Sequence, residues 1–135
     1  MKIAGIGLAV LLALAGAILI YQAWVNNPRV ARELRERPDG ERANKVMLIA
    51  LPSGREIPVN YLEKDGNVYA ASDGAWWREL RGEGGRVALL VQGRELAGRA
   101  RAIRNDPELR SRIFDELRPS APKLFGVLVE VTLDE

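Results

Sequence analysis

The sequence predicts a mainly β protein: a compact antiparallel barrel with two short helices, preceded by one N-terminal transmembrane helix. Three observations carry that expectation. Ile3 to Val25 is an uncharged apolar run. Six later segments have the alternation or apolar runs of strands, and turn signals separate them. The expected organisation is an anchor at 1–26, a juxtamembrane helix and linker at 27–44, and the barrel at 45–135.

The anchor is built from Ile, Leu, Ala, Val and Gly, with Tyr21, Gln22 and Trp24 near its end. At about 1.5 Å per residue it spans roughly 34 Å, enough to cross a hydrocarbon core of about 30 Å. Tyr21 and Trp24 suit the interfacial belt. The run exceeds a signal peptide's apolar core, and no convincing cleavage site follows it. Only Lys2 precedes it, whereas Arg29, Arg32, Arg35, Arg37, Arg42 and Lys45 follow. The positive-inside rule then places the chain in the cell membrane as a single-pass protein, N-terminus outside and C-terminal domain cytoplasmic. Membrane lipid is thus an expected partner.

Asn27-Pro28 opens a short helix to about Arg37, which Pro38-Asp39-Gly40 stops. It reads either as a solvated linker or as a helix lying on anionic headgroups through its arginines. Strands are expected at Lys45 to Leu51, Glu56 to Glu63, Val68 to Ser72, Arg86 to Val91, Arg94 to Ile103 and Leu124 to Leu133. Ile57, Val59 and Tyr61 share one face of the second. Asp65-Gly66 supplies the positive φ angles of a tight hairpin, and Gln92-Gly93 turns another. Leu96, Gly98, Ala100 and Ala102 share a face whose small residues point to close packing or a bend. A short helix fits Ala75 to Arg81. A second starts at Asp106-Pro107, carries Leu109, Ile113, Phe114 and Leu117 as its stripe, and ends at Pro119.

Composition excludes much chemistry. The chain has no cysteine and no histidine. Disulfides, thiolate metal sites, thiol nucleophiles and His-containing triads are therefore ruled out, and no metal site stands out. Twenty basic and 18 acidic residues nearly balance, at a net +2. No basic block with interleaved aromatics is present, so no nucleic-acid partner is expected. An enzyme of this composition would draw its chemistry from a bound cofactor.

The order of motifs resembles the deazaflavin-dependent nitroreductase family. The residues that carry the likeness are Ser53-Gly54, Pro58-Val59-Asn60-Tyr61, Asp65-Gly66, Ala71-Ser72, Trp76-Trp77-Arg78-Glu79-Leu80 and Gly93-Arg94-Glu95-Leu96, within Lys45 to Ile103. The resemblance implies a split antiparallel β-barrel, the fold shared with the flavin-binding pyridoxamine-phosphate oxidases. It further implies a reduced 8-hydroxy-5-deazaflavin coenzyme whose hydride passes to a quinone, such as menaquinone, or to a nitro-aromatic acceptor. FMN is the second choice of cofactor. Many split barrels dimerise across the cofactor site, which leaves a homodimer open.

On that footing Ser53, Gly54 and Arg55 would cradle the coenzyme phosphate through a hydroxyl, backbone N–H groups and a guanidinium. Asn60 and Tyr61 would line the ring. Ser72 would donate a hydrogen bond to the ring or acceptor, which with Tyr61 makes it the candidate catalytic group. Trp76 and Trp77 would wall the pocket, and Arg78 would pair with phosphate. Each has a plainer reading as hairpin turn, barrel core or surface. The turn carries Leu51-Pro52 where family members have Arg-Lys. That departure keeps two alternatives open: an FMN- or haem-binding barrel, and a non-catalytic module tethered to the membrane.

Overall fold

The computed structural model describes residues 8–15, 17, 27–119 and 126–135. The expected transmembrane helix lies largely outside these. Residues 8–15 are helical, with Leu8, Val10, Leu11, Leu12 and Leu14 exposed. Among the described residues, no helix is long and apolar enough to cross a membrane.

Six strands close into an antiparallel barrel: β1 Val46–Ala50, β2 Glu56–Lys64, β3 Asn67–Ser72, β4 Gly85–Val91, β5 Arg94–Ile103 and β6 Val127–Leu133. Their order around the barrel is β1-β2-β3-β6-β5-β4, closed by the pairing of β1 with β4. All six expected strands form, within a residue or two at most ends; the final strand begins at Val127, and residues 120–125 before it fall outside the described set. The β2–β3 hairpin turns on Asp65 and Gly66, at φ 54° and 80°. The β4–β5 hairpin turns on Gln92 and Gly93, at φ 50° and 78°. Both central residues of each turn are left-handed, the geometry whose twist matches the flanking strands.

The strands' two-residue period sorts the side chains. Met47, Ile49, Val68, Ala70, Val87, Leu89, Val91, Ala100, Val129 and Val131 fill the interior, and Ile57, Val59, Tyr61, Leu96 and Ala102 pack against them. Outward residues are covered where a helix lies on the barrel. Helix α1, Asn27–Glu36, buries Val30 and Leu34 against Leu48 and Ala43. The expected juxtamembrane helix is therefore packed on the barrel wall and is not a solvated linker. Helix α2, Pro107–Leu117, buries Ile113 and Phe114 against Tyr69 and Leu128. Asp106 caps it as expected, accepting the Leu109 N–H at 3.1 Å, with Pro107 in the first turn. The Ala75 to Arg81 helix appears as a tighter 3-10 turn, Trp76–Leu80.

Register defines the two ends of the barrel. Ala50 pairs with Glu56, Ser72 with Val127, Gly85 with Ala100, and Ile103 with Leu128. These mark one end, here the upper. Val46 with Asn60, Lys64 with Asn67, and Val91 with Arg94 mark the lower.

Candidate functional site

Seven of the nine candidate site residues meet at the upper end. The Ser53-Gly54-Arg55 turn joins β1 to β2 there, Ser72 ends β3, and Trp76, Trp77 and Arg78 lie on the 3-10 turn that follows. Asn60 and Tyr61 are not with them. Asn60 pairs with Val46 at the lower end and is exposed, and the Tyr61 hydroxyl donates to the Ala43 carbonyl at 2.9 Å. Their motif runs along β2 from the turn that begins it to the middle of the strand, level with the start of β1.

The turn is self-contained. Gly54 N–H donates to the Leu51 carbonyl at 2.8 Å, and Leu51 N–H to the Arg55 carbonyl at 2.9 Å. Gly54 takes φ 91°, which glycine adopts freely. Arg55 N–H donates to Ser53 Oγ at 3.3 Å, and Ser53 N–H donates to Glu79 Oε1 at 2.9 Å. Glu79 comes from the 3-10 turn, so a carboxylate of this chain occupies the N–H that a phosphate would take.

Ser72 is the one buried polar residue among those described, at 1% exposed. Its hydroxyl donates to the Gly74 carbonyl at 3.0 Å, closing the turn between β3 and the 3-10 turn. Ser72→Ala should lower stability by about 0.5–1.5 kcal/mol, the net worth of one such bond; a shift in urea midpoint at unchanged slope checks it. Trp76 is 8% exposed and packs with Leu80 in the barrel core. Asp73, an acid beside the site, is held by Arg118 at 2.9 and 2.8 Å in a two-bond pair.

Burial raises the Tyr61 phenol above its usual value of 10.0, Glu63 raises it further, and Arg94 opposes both. A raised folded-state value means that the neutral phenol's contribution to stability is complete below about pH 10 and is lost as pH rises through the folded value. Tyr61→Phe should remove from an alkaline absorbance titration at about 295 nm a phenol that titrates above its usual value. It should cost about 1 kcal/mol at neutral pH through the lost bond to Ala43.

Trp77 is half-buried, and three arginines surround its ring. Arg104 lies 4.6 Å, Arg81 5.4 Å and Arg78 5.9 Å from the ring centroid, each measured at Cζ. Beside them a surface cavity of about 700 Å³ is lined by Arg81, Arg101, Arg104, Ile103 and Leu109, with Asp106 and Glu130. Arg78 was a sequence candidate. Arg81, Arg104 and Glu79 were not, and only Glu79, inside the Trp76–Leu80 motif, carried a signal that could have drawn attention.

Among the described residues, no group of three or more acids is placed to hold a metal ion.

The sequence matches no protein-family model and no curated protein. Solved structures do resemble the fold. A candidate pyridoxamine 5'-phosphate oxidase from Listeria innocua superposes with a TM-score of 0.53 at 14% identity, over 67% of this chain and 85% of that one. HutZ, the haem storage protein of Vibrio cholerae, superposes at 0.50 and 11% identity, over 78% and 91%. The six-stranded barrel thus shares its fold with these two proteins. At these identities the likeness is one of fold.

Proposed function

We propose that this chain is a ligand-binding split barrel held at the cell membrane by Ile3–Val25, and that it acts by holding its ligand instead of supplying a reacting side chain. One observation carries the reading: both hydroxyls offered as catalytic groups, and the turn N–H offered to a phosphate, are bonded within the chain. Ser53 N–H is held by Glu79, the Ser72 hydroxyl by Gly74, and the Tyr61 hydroxyl by Ala43. The absence of histidine and cysteine leaves no stronger base or nucleophile in the sequence.

Any redox chemistry would then belong to a coenzyme. The residues that the resemblance assigns to the deazaflavin phosphate do not fit it as folded, because an incoming anion would meet the Glu79 carboxylate at the Ser53 N–H. Haem fits no better among the described residues: of the usual axial ligands, His and Cys are missing from the sequence, Met47 and Tyr69 are buried, and the Tyr61 hydroxyl is bonded to Ala43.

The second reading, a membrane-anchored deazaflavin- or FMN-dependent reductase of quinones or nitro compounds, has one observation in its favour. Seven of its nine residues meet at one barrel end, and a 3-10 turn bearing two tryptophans stands beside them. A titration separates the two readings. The full chain in neutral detergent is titrated with oxidised deazaflavin coenzyme and with FMN, alongside Arg55→Ala and Ser72→Ala. Our reading expects the variants to titrate like the parent. Saturable micromolar binding weakened tenfold or more by either substitution would establish the reductase's coenzyme site instead.

A further inference from the structure

We propose that the Trp77 face is a phosphate-recognition site, in which Arg78, Arg81 and Arg104 receive the phosphoryl group of a ligand. This names the ligand chemistry of the binding module proposed above, and it rests on that reading. The titration with Arg55 and Ser72 variants succeeds or fails separately from the test given below.

The argument starts from charge. Three guanidiniums gather around one indole, at 4.6, 5.4 and 5.9 Å from its centroid. Attraction to the ring's π face holds each cation weakly, and the cations repel one another. All 18 acids of the sequence lie among the described residues. None forms an ion pair with Arg78, Arg81 or Arg104. Six other arginines do have an acid beside them: Arg35 with Glu56, Arg42 with Glu33, Arg86 with Asp134, Arg94 with Glu63, Arg101 with Glu130, Arg118 with Asp73. What sets these three apart is that they share one ring: they come from the 3-10 turn, the loop after it and the residue following β5, so the fold, and not one local run of sequence, assembles them.

The chemistry of the donors specifies the anion. Guanidinium presents paired N–H groups that match phosphate oxygens two at a time, and a phosphoryl dianion would relieve the mutual repulsion. The adjoining cavity of about 700 Å³ has Ile103 and Leu109 in its lining, which gives room for the rest of a phosphate ester. Its two acids are already engaged: Asp106 caps α2, and Glu130 stands 3.6 Å from Arg101. The same chemistry would serve a soluble phosphate ester or a phospholipid headgroup.

The test uses the full chain in neutral detergent micelles and follows tryptophan emission at constant ionic strength. One arm titrates pyrophosphate. The other compares mixed micelles containing phosphatidic acid with micelles containing phosphatidylcholine. Each is repeated with Arg81→Gln/Arg104→Gln, with Trp77→Phe to identify the reporting ring, and with Arg86→Gln as a control, an exposed arginine outside the cluster that pairs with Asp134. The replaced arginines are exposed, and an unchanged far-ultraviolet circular dichroism spectrum verifies that the double variant folds. The expected result is a saturable response whose midpoint moves at least tenfold in the double variant and stays in place in the control. A response to pyrophosphate makes the source soluble; a response confined to phosphatidic acid makes it the lipid headgroup. A response to neither, or one with the same midpoint in the double variant, overturns the proposal.

Discussion

Replacing Phe114 by alanine is expected to lower the stability of the barrel by about 3–5 kcal/mol, the range for deleting a buried aromatic ring. Phe114 is fully buried and is the largest of the wholly enclosed side chains. It joins Tyr69, Ile113 and Leu128 beneath α2, so the cavity left behind would be walled by two strands and a helix. Arg110 and Arg118 also stack on the ring, at 4.3 and 5.1 Å from its centroid. Arg118 in turn grips Asp73, the residue after Ser72. Loss of the ring should therefore loosen the segment that leads into the Trp76–Leu80 turn. Urea unfolding of the full chain in neutral detergent, followed by far-ultraviolet circular dichroism, gives the cost. Phe114→Leu, which keeps most of the volume, should cost about 1–1.5 kcal/mol.

Gly98→Ala is the second large effect, at about 2–3 kcal/mol. Gly98 faces the barrel interior on β5, opposite Leu133. A Cβ added there would stand 2.3 Å from the Thr132 carbonyl oxygen and 3.1 Å from the Leu133 Cα. Both are backbone atoms, so no rotamer can yield and β5 must move away from β6. Hydrogen exchange should show the consequence as lost protection along Gly98–Ile103 and Leu128–Leu133, with the β1–β2 ladder spared. Uniform protection at parental levels would contradict the close approach.

Much of the barrel is legible in the sequence because its determinants are local. Asp65-Gly66 and Gln92-Gly93 specify hairpins through their own φ angles, and Asp106-Pro107 specifies a helix start through its own cap. The small residues Gly98 and Ala100 on one face of β5 announce a tight wall before β6 is placed against it. What the sequence conceals is pairing at a distance. The closure of β1 on β4 joins residues some forty positions apart, and no local pattern selects it. Likewise the apolar pair Val30 and Leu34 fits a membrane-surface helix as well as one docked on Leu48, and only packing decides between them.

The candidate site was legible to the same degree. The turn at Ser53 and the tryptophan motif are each visible, but their meeting is not, and so neither is the carboxylate that Glu79 places in the turn. Asn60 and Tyr61 follow the turn closely in sequence, yet the rise along β2 carries them to the middle of the strand, level with the start of β1 and away from the turn. Arg104 is separated from Trp77 by two strands and shows no sequence signal.

The most direct measurement of the central claim, that the chain binds without the coenzyme clamp its motifs suggest, is the amide spectrum of the isotope-labelled full chain in neutral detergent during titration with FMN and with oxidised deazaflavin coenzyme. With Glu79 holding the Ser53 N–H, the account predicts that the Ser53, Gly54 and Arg55 resonances stay in place up to millimolar coenzyme. A saturable shift of those three amides, suppressed by Arg55→Ala, would contradict it and restore the turn as a coenzyme site.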